Sequence, residues 1–140
     1  MTYSPKDIIF TYGGVPISGF ADGTMIVVEP MAPDFTSYTG ADGEGSRVAN
    51  ANKGVKITLT LAQTSISNDY LTACALVDSK TKVGQKAIGM KDLFGTSVVI
   101  APLGYITQRP SMTMGKEIET REWVIESTSA VMTIGGNPLP

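Results

Sequence analysis

From Val55 onward the apolar residues alternate strictly with polar or small ones, Val55, Ile57, Leu59 and Leu61 against Lys56, Thr58, Thr60 and Ala62. A period of two marks a strand with one buried face. Directly after it the period changes. Tyr70, Ala73, Cys74 and Val77 recur at helical spacing, and Leu76 widens the stripe. Ser67 reads as the N-cap, Asp69 places a negative charge in the first turn, and Ile66 and Leu71 stand at hydrophobic-staple positions. This strand and helix, joined by a short polar turn, are expected to cover each other.

The remaining pattern is β-rich. Asp7 to Tyr12 reads as a strand, Gly13-Gly14 as a turn, and Val15 to Phe20 as a short extended piece. The Asp22-Gly23 turn predicts that Met25 to Glu29 pairs back as a hairpin, and its continuous Met-Ile-Val-Val run suits a strand buried on both faces, or one whose outer face is covered by a neighbour. Pro30 and Pro33 stop that strand. Residues 30–54 are polar and glycine-rich, with extended pieces at 35–38 and 46–50 around Gly40-Ala-Asp-Gly-Glu-Gly45, and they predict a projecting hairpin with a flexible tip. Its Phe35 and Tyr38 either dock on another chain or fold back on their own domain. Lys80 to Gln85 reads as a polar connection, and Ala87 to Phe94 is ambiguous. Thr96 to Ala101 is dense in β-branched residues and is expected to end at Pro102, with a short continuation at 103–107. Residues 108–115 make a loop. Lys116 to Ser127 reads as a long strand with Glu117, Glu119, Arg121, Trp123 and Ile125 on one face, and Ala130 to Ile134 is the last strand. The chain of 140 residues is thus expected to form a single mainly β domain with one helix, barrel- or sandwich-like, with the hairpin projecting from it.

Composition narrows the function more than it names it. Charged residues make up 17%, below the usual quarter, so a surface rich in Thr, Ser, Gly and Ala fits either cover by other subunits or an ordinary Thr-rich β-protein. A net charge of −2 and a pI near 5.0 argue against a nucleic-acid grip, which needs clustered Lys and Arg. Lys80, Lys82 and Lys86 are the densest basic group and read as a solvated connection. No apolar run is long enough for a membrane-spanning helix, and the N-terminus has no basic start followed by an apolar stretch, so a cytosolic protein is expected.

Chemistry is thin. With no histidine in the chain, the usual general base, the nucleophile pairs that depend on it and most zinc sites drop out, and no cofactor or metal is expected. Cys74 reads as a small core residue. Glu117, Glu119, Glu122 and Glu126 read as a solvated or ion-paired set around Arg121 rather than as catalytic carboxylates, and no enzyme is expected. The Gly40 to Gly45 tip lacks both a Gly-Lys-Ser/Thr ending and the alternating oxygens of a calcium loop.

The order of features resembles the tail tube proteins of long-tailed, especially contractile, bacteriophages. The residues that carry the resemblance are 7–23, Asp42-Gly-Glu-Gly-Ser-Arg-Val-Ala-Asn50, Gly54 to Leu61 running into Ser67-Asn-Asp-Tyr70, and Glu119-Thr-Arg-Glu-Trp123. The resemblance implies homohexameric rings stacked into a hollow tube of a virion tail, assembled in the host bacterial cytoplasm, through which genomic DNA passes without specific binding. It implies sheath, tape-measure and baseplate or initiator proteins as partners. On that reading Phe35, Tyr38, Asp42, Glu44 and Arg47 are subunit or ring contacts, aromatic and Arg residues being frequent interface anchors, and Lys56, Thr58, Thr60, Thr120, Glu122 and Glu126 face the bore. Non-contractile tails and type VI secretion tubes share the fold by the same resemblance. A small β-barrel binding module, or another virion part such as a capsid-decorating or tail-completion protein, is the alternative.

Overall fold

In the computed structural model, which describes residues 1–138, the chain is mainly β with a single α-helix. After a 3-10 turn at Pro5–Asp7 come β1 (Ile8–Tyr12), β2 (Val15–Pro16), β3 (Ile26–Pro30), β4 (Phe35–Thr39), β5 (Gly45–Ala49) and β6 (Val55–Ala62). The helix α1 (Ser67–Thr81) precedes β7 (Lys86–Asp92), β8 (Val98–Gln108), β9 (Thr120–Ser127) and β10 (Val131–Thr133). Eight strands form one antiparallel sheet in the order β2-β1-β7-β8-β9-β6-β3, with β10 pairing the start of β8. The two strands β4 and β5 form a separate sheet.

Alternation decides which side of the large sheet is inside. In β6, Val55, Ile57, Leu59 and Leu61 are buried, and opposite them β9 buries Arg121, Trp123, Ile125 and Ser127 in register. Phe10, Tyr12, Ile88 and Ala101 continue the same inner face through β1, β7 and β8. The sheet is rolled: Ile8 of β1, Met90 and Asp92 of β7, and Ile26 of β3 border one common cavity although β1 and β3 lie near opposite ends of the strand order. The helix covers the core. Leu71 and Cys74 are buried on it, Tyr70 Oη donates to the Tyr12 carbonyl at 2.7 Å, and the Tyr12 and Tyr70 rings meet edge to face at 6.5 Å.

One polar group fastens helix to sheet. The indole Nε1 of fully enclosed Trp123 donates to Asn68 Oδ1 at 2.9 Å. The Asn68 amide in turn donates to the carbonyls of Ala62 (3.0 Å) and Ser65 (3.1 Å), which fixes the turn between β6 and α1. A buried indole N–H must find an acceptor, and Asn68 supplies it.

Several expectations are corrected, each for a physical reason. Residues 15–20 and 25–29 do not form a hairpin. Instead Phe20 bridges Leu61 and β3 pairs with β6, so both segments lie end to end along β6 with the Asp22-Gly23 turn looped out between them at a Gly23 φ of 96°. β3 is therefore an edge strand, not one covered on both faces, and Val27 is exposed. Pro102 does not end its strand: β8 continues to Gln108, and the proline falls at a bulge where Lys86 pairs Gly104 but Ile88 pairs Ala101. A residue without an N–H fits at a bulge because the ladder is already interrupted there. The long strand expected from Lys116 begins only at Thr120, so Glu117 and Glu119 lie outside it, and Arg121 pairs with none of the glutamates. Ser67 is the first helical residue rather than the cap. Its hydroxyl accepts the Ser18 N–H at 3.0 Å, and Ile66, 75% exposed, forms no staple. The buried helical stripe runs through Ser67, Leu71 and Cys74, leaving Ala73, Leu76 and Val77 outside. Lys80 lies in the last turn of α1, Lys82 caps it in a left-handed conformation and Lys86 begins β7, so the three do not share one loop.

Two stability predictions follow from these contacts. Asn68→Ala orphans the Trp123 N–H and is expected to lower unfolding free energy by about 1–3 kcal/mol; urea denaturation followed by indole fluorescence checks it, and a loss below about 0.5 kcal/mol, the range of ordinary surface changes, would contradict it. Burial pushes the Tyr12 phenol well above its ordinary value of 10.0. Tyr70, desolvated by burial and set beside Cys74, is pushed up to about 12. The folded chain thus keeps these protons longer than the unfolded chain, so this contribution is complete below pH 10.0 and declines as pH rises toward 12. Thermal melts across that range are expected to fall less steeply for Tyr70→Phe than for the wild type.

Candidate functional site

Strand pairing brings the six residues Lys56, Thr58, Thr60, Thr120, Glu122 and Glu126 onto one face. Lys56 stands opposite Glu126, Thr60 opposite Glu122, and Ala62 opposite Thr120, while Thr58 faces Val124. Because directly opposed residues share a face, the outward side of β6 and β9 is a surface of mostly short polar and charged groups, interrupted by Val124 and Ala62. β3 and β8 extend it: Glu29 opposes Lys56, Val27 opposes Thr58, and Tyr105 opposes Glu126. Glu29, Val27 and Tyr105 were not singled out in the sequence, although the alternation of Ile26 and Val28 with Val27 and Glu29 carries the signal. On this part of the sheet three carboxylates, Glu29, Glu122 and Glu126, stand with one ammonium, Lys56.

Further round the same side of the sheet the character changes. Ile9 (β1), Ile100 (β8) and Val131 (β10) point outward and are 42%, 57% and 70% exposed, with Leu93 beside them. The outward surface therefore has a polar half and a half where apolar residues stand around Lys91, which opposes Ile9. The sheet also ends on an open edge, since β3 has a partner on one side only, β6.

The second grouping is the β4–β5 hairpin, all ten of whose strand residues are exposed. Register puts Phe35, Ser37, Arg47 and Ala49 on one face, and Thr36, Tyr38, Ser46 and Val48 on the other. Phe35 and Tyr38 thus stand on opposite faces. The Arg47 guanidinium lies 4.4 Å from the Phe35 ring centroid, and Tyr38 and Val48 remain open, 65% and 62% exposed. At the tip, Gly40 N–H donates to the Glu44 carbonyl at 2.8 Å and Glu44 N–H to Asp42 Oδ1 at 3.2 Å, leaving Gly43 at φ 89°. Asp42 and Glu44 therefore crown a closed turn. The root is tied by Met31 N–H to the Gly54 carbonyl at 3.0 Å and by an exposed Lys53–Asp34 pair at 3.5 Å.

A third feature was not anticipated. At the end of β6 and β9 away from the hairpin root, the loop after β8 and the start of α1 border an open cavity of about 950 Å³. Its lining includes Trp123, Met112, Met114, Arg109 and the buried Arg121. A loop of Pro, Met, Ser and Gly carries no periodic signal, which is why sequence alone did not place it.

Among the described residues no group of His, Cys, Asp or Glu is arranged to hold a metal ion, and no helix is long and apolar enough to cross a membrane.

No protein-family model matches the chain. It is 35% identical, over 144 aligned positions spanning 97% of this chain and 83% of the other, to structural protein ORF10 of Pseudomonas phage KPP10. Among solved structures, a chain of the sheath/tube terminator of the PVC extracellular contractile injection system in its extended state superposes with a TM-score of 0.63 at 16% identity, covering 96% and 98% of the two chains. A chain of the tube-terminating cap of the anti-feeding prophage does so with a TM-score of 0.60 at 13% identity, covering 95% and 91%. A chain of the PVC sheath–tube complex gives 0.59 at 14% identity over 94% and 91%. At these identities the superpositions establish a shared fold, mainly β with one helix, while the sequence relationship is close enough to establish descent. The chain belongs to the family of the phage structural protein ORF10.

Proposed function

We propose that this protein is a ring-forming subunit of a phage tail tube, its copies closing edge to edge around a bore and the rings stacking along the tail. The observation that carries this reading is the free edge of β3 beside a polar sheet face. An exposed edge of unpaired N–H and C=O groups, with apolar side chains such as Val27, is a liability for a soluble monomer, and pairing it with a neighbour removes that liability. Closing the rolled sheets of several copies into one barrel turns one side of each sheet inward.

In this arrangement the Lys56, Thr58, Thr60, Thr120, Glu122 and Glu126 surface lines the bore. Short polar groups with an excess of carboxylate let DNA slide, whereas a dense Lys/Arg lining would hold phosphate by counterion release. The half around Ile9, Ile100 and Val131 is covered by the adjacent copy, and Phe35, Tyr38 and Arg47 on the hairpin are contacts to a neighbouring subunit or ring. Sheath, tape-measure and baseplate or initiator proteins are the partners such a tube requires. The protein's role is structural, with no reaction assigned to it.

A second reading is favoured by the fold matches to a terminator and a cap: a single ring that closes the end of a tube. Length of the assembly separates the two. Electron microscopy of concentrated protein is expected to show hollow stacks of many six-fold rings; isolated single rings would support the terminator, and an absence of any ring would overturn both. Val28→Pro, which removes an N–H and stiffens the β3 edge, is expected to abolish rings while leaving the circular dichroism spectrum β-rich. Glu122→Lys with Glu126→Lys is expected to convert a non-binding assembly into one that retains DNA, with affinity falling steeply as salt rises. DNA retention unchanged by this double substitution in assembled rings would place that face outside the bore.

A further inference from the structure

Arg121 is 7% exposed, yet its guanidinium meets only neutral acceptors: Nη1 donates to the Thr120 carbonyl at 3.2 Å, and Nη2 to the Thr113 carbonyl at 3.0 Å with Met114 Sδ at 3.9 Å. Among the described residues no carboxylate pairs with it. Glu122, next in the strand, points to the opposite side of the sheet by alternation. A buried cation without an anion is unfavourable, and removing that imbalance takes an acid from elsewhere. Arg121 also lines the 950 Å³ cavity, whose one other charged lining residue, Arg109, is again basic. The site is a cationic pocket with Met and Trp walls.

The same chain presents the complementary shape. The β4–β5 tip is a hydrogen-bonded turn carrying Asp42 and Glu44 on small neighbours, Gly40, Ala41 and Gly43. In this structure tip and pocket do not meet within one copy, since no hairpin residue lines the pocket. The hairpin leaves at Gly54, before the first residue of β6, while the pocket begins at Gln63, after its last, and eight strand residues hold these points about 26 Å apart. A projection at one end and a receptor at the other is a heterologous, head-to-tail pair, the kind that propagates as an open stack.

We propose that the Arg109/Arg121 cavity receives the Asp42–Glu44 hairpin tip of a second copy of this chain, one level along the stack. This assignment rests on the stacking reading above and names the two surfaces that would make it. The tip carboxylates neutralise Arg121 and Arg109, and Met112 and Met114 close over the small residues of the turn. Flexible, polarizable methionines suit a site that must adapt to an inserted loop.

The test mixes two differently tagged single variants, Ala41→Cys at the tip and Met112→Cys at the pocket rim, under mild oxidation, with buried Cys74 left in place. A pairwise contact is read without requiring a complete ring. The control partner is Val83→Cys, exposed at the far end of α1. The expected result is that the tip–rim heterodimer exceeds the tip–control heterodimer by about ten-fold, falls to the control level when the rim copy carries Arg109→Glu, and returns when the tip copy carries Glu44→Arg. Equal yields from rim and control, or indifference to the charge reversals, would overturn the contact. Microscopy of the same samples separates the two claims: stacked rings without the tip–rim bond sink this assignment alone, and the bond without any ring sinks the tube reading while keeping the contact.

Discussion

The antiparallel ladder between β6 and β9 is the constraint on which the rest depends. Its register, from Val55 opposite Ser127 to Ala62 opposite Thr120, forces Ile57, Leu59, Leu61, Trp123 and Ile125 to one side and Lys56, Thr58, Thr60, Glu122 and Glu126 to the other. A slip of one residue would exchange the two sets, exposing the core and burying charge. The buried set needs a cover, which α1 supplies through Leu71, Cys74 and the Asn68–Trp123 hydrogen bond. The exposed set is thereby committed to face whatever lies outside the monomer. Core and candidate function are two sides of one alternation.

The ends of the ladder set the direction of the proposed stack. At one end, Gly54 releases the hairpin, an isolated two-stranded sheet of a kind that gains little stability by itself. At the other, the turn held by Asn68 and the loop folded over Arg121 leave a cavity. Across the sheet, β3 stops the strand order with its outer edge unpaired. Unpaired edge, exposed hairpin and uncompensated guanidinium are all incomplete in the monomer, and each is completed by further copies in the proposed stack. Low surface charge is in keeping with this, since repeated like charges would oppose close stacking.

Where local physics dominates, the sequence was legible. The period-two run at 55–62 identified β6 and its two faces, and Cys74 is enclosed as the small core residue its type suggested. Legibility ended where long-range pairing decides. Asp22-Gly23 is a sound turn signal, but it loops out of a shared edge along β6 because the apolar residues of β3 find a better partner there than in the two-residue β2. Pro102 signals a stop, yet a bulge absorbs it. The helical stripe was misplaced because both Leu71 and Val77 fit a 3.6-residue period, and only the sheet beneath selects Ser67, Leu71 and Cys74. Of the surface residues, alternation alone grouped Lys56, Thr58 and Thr60. The β6–β9 register joined them to Thr120, Glu122 and Glu126. The Arg121 pocket had no sequence signal, because it is made by the irregular β8–β9 loop folding over the start of the strand it leads into.

The most direct test is a cryo-electron-microscopy reconstruction of the assembled protein at side-chain resolution. It is expected to show six-fold rings in which β3 continues the sheet of its neighbour and Lys56, Thr58, Thr60, Glu122 and Glu126 line the bore. An assembly in which β3 remains unpaired, or in which that face lies on the outer wall, would contradict the account.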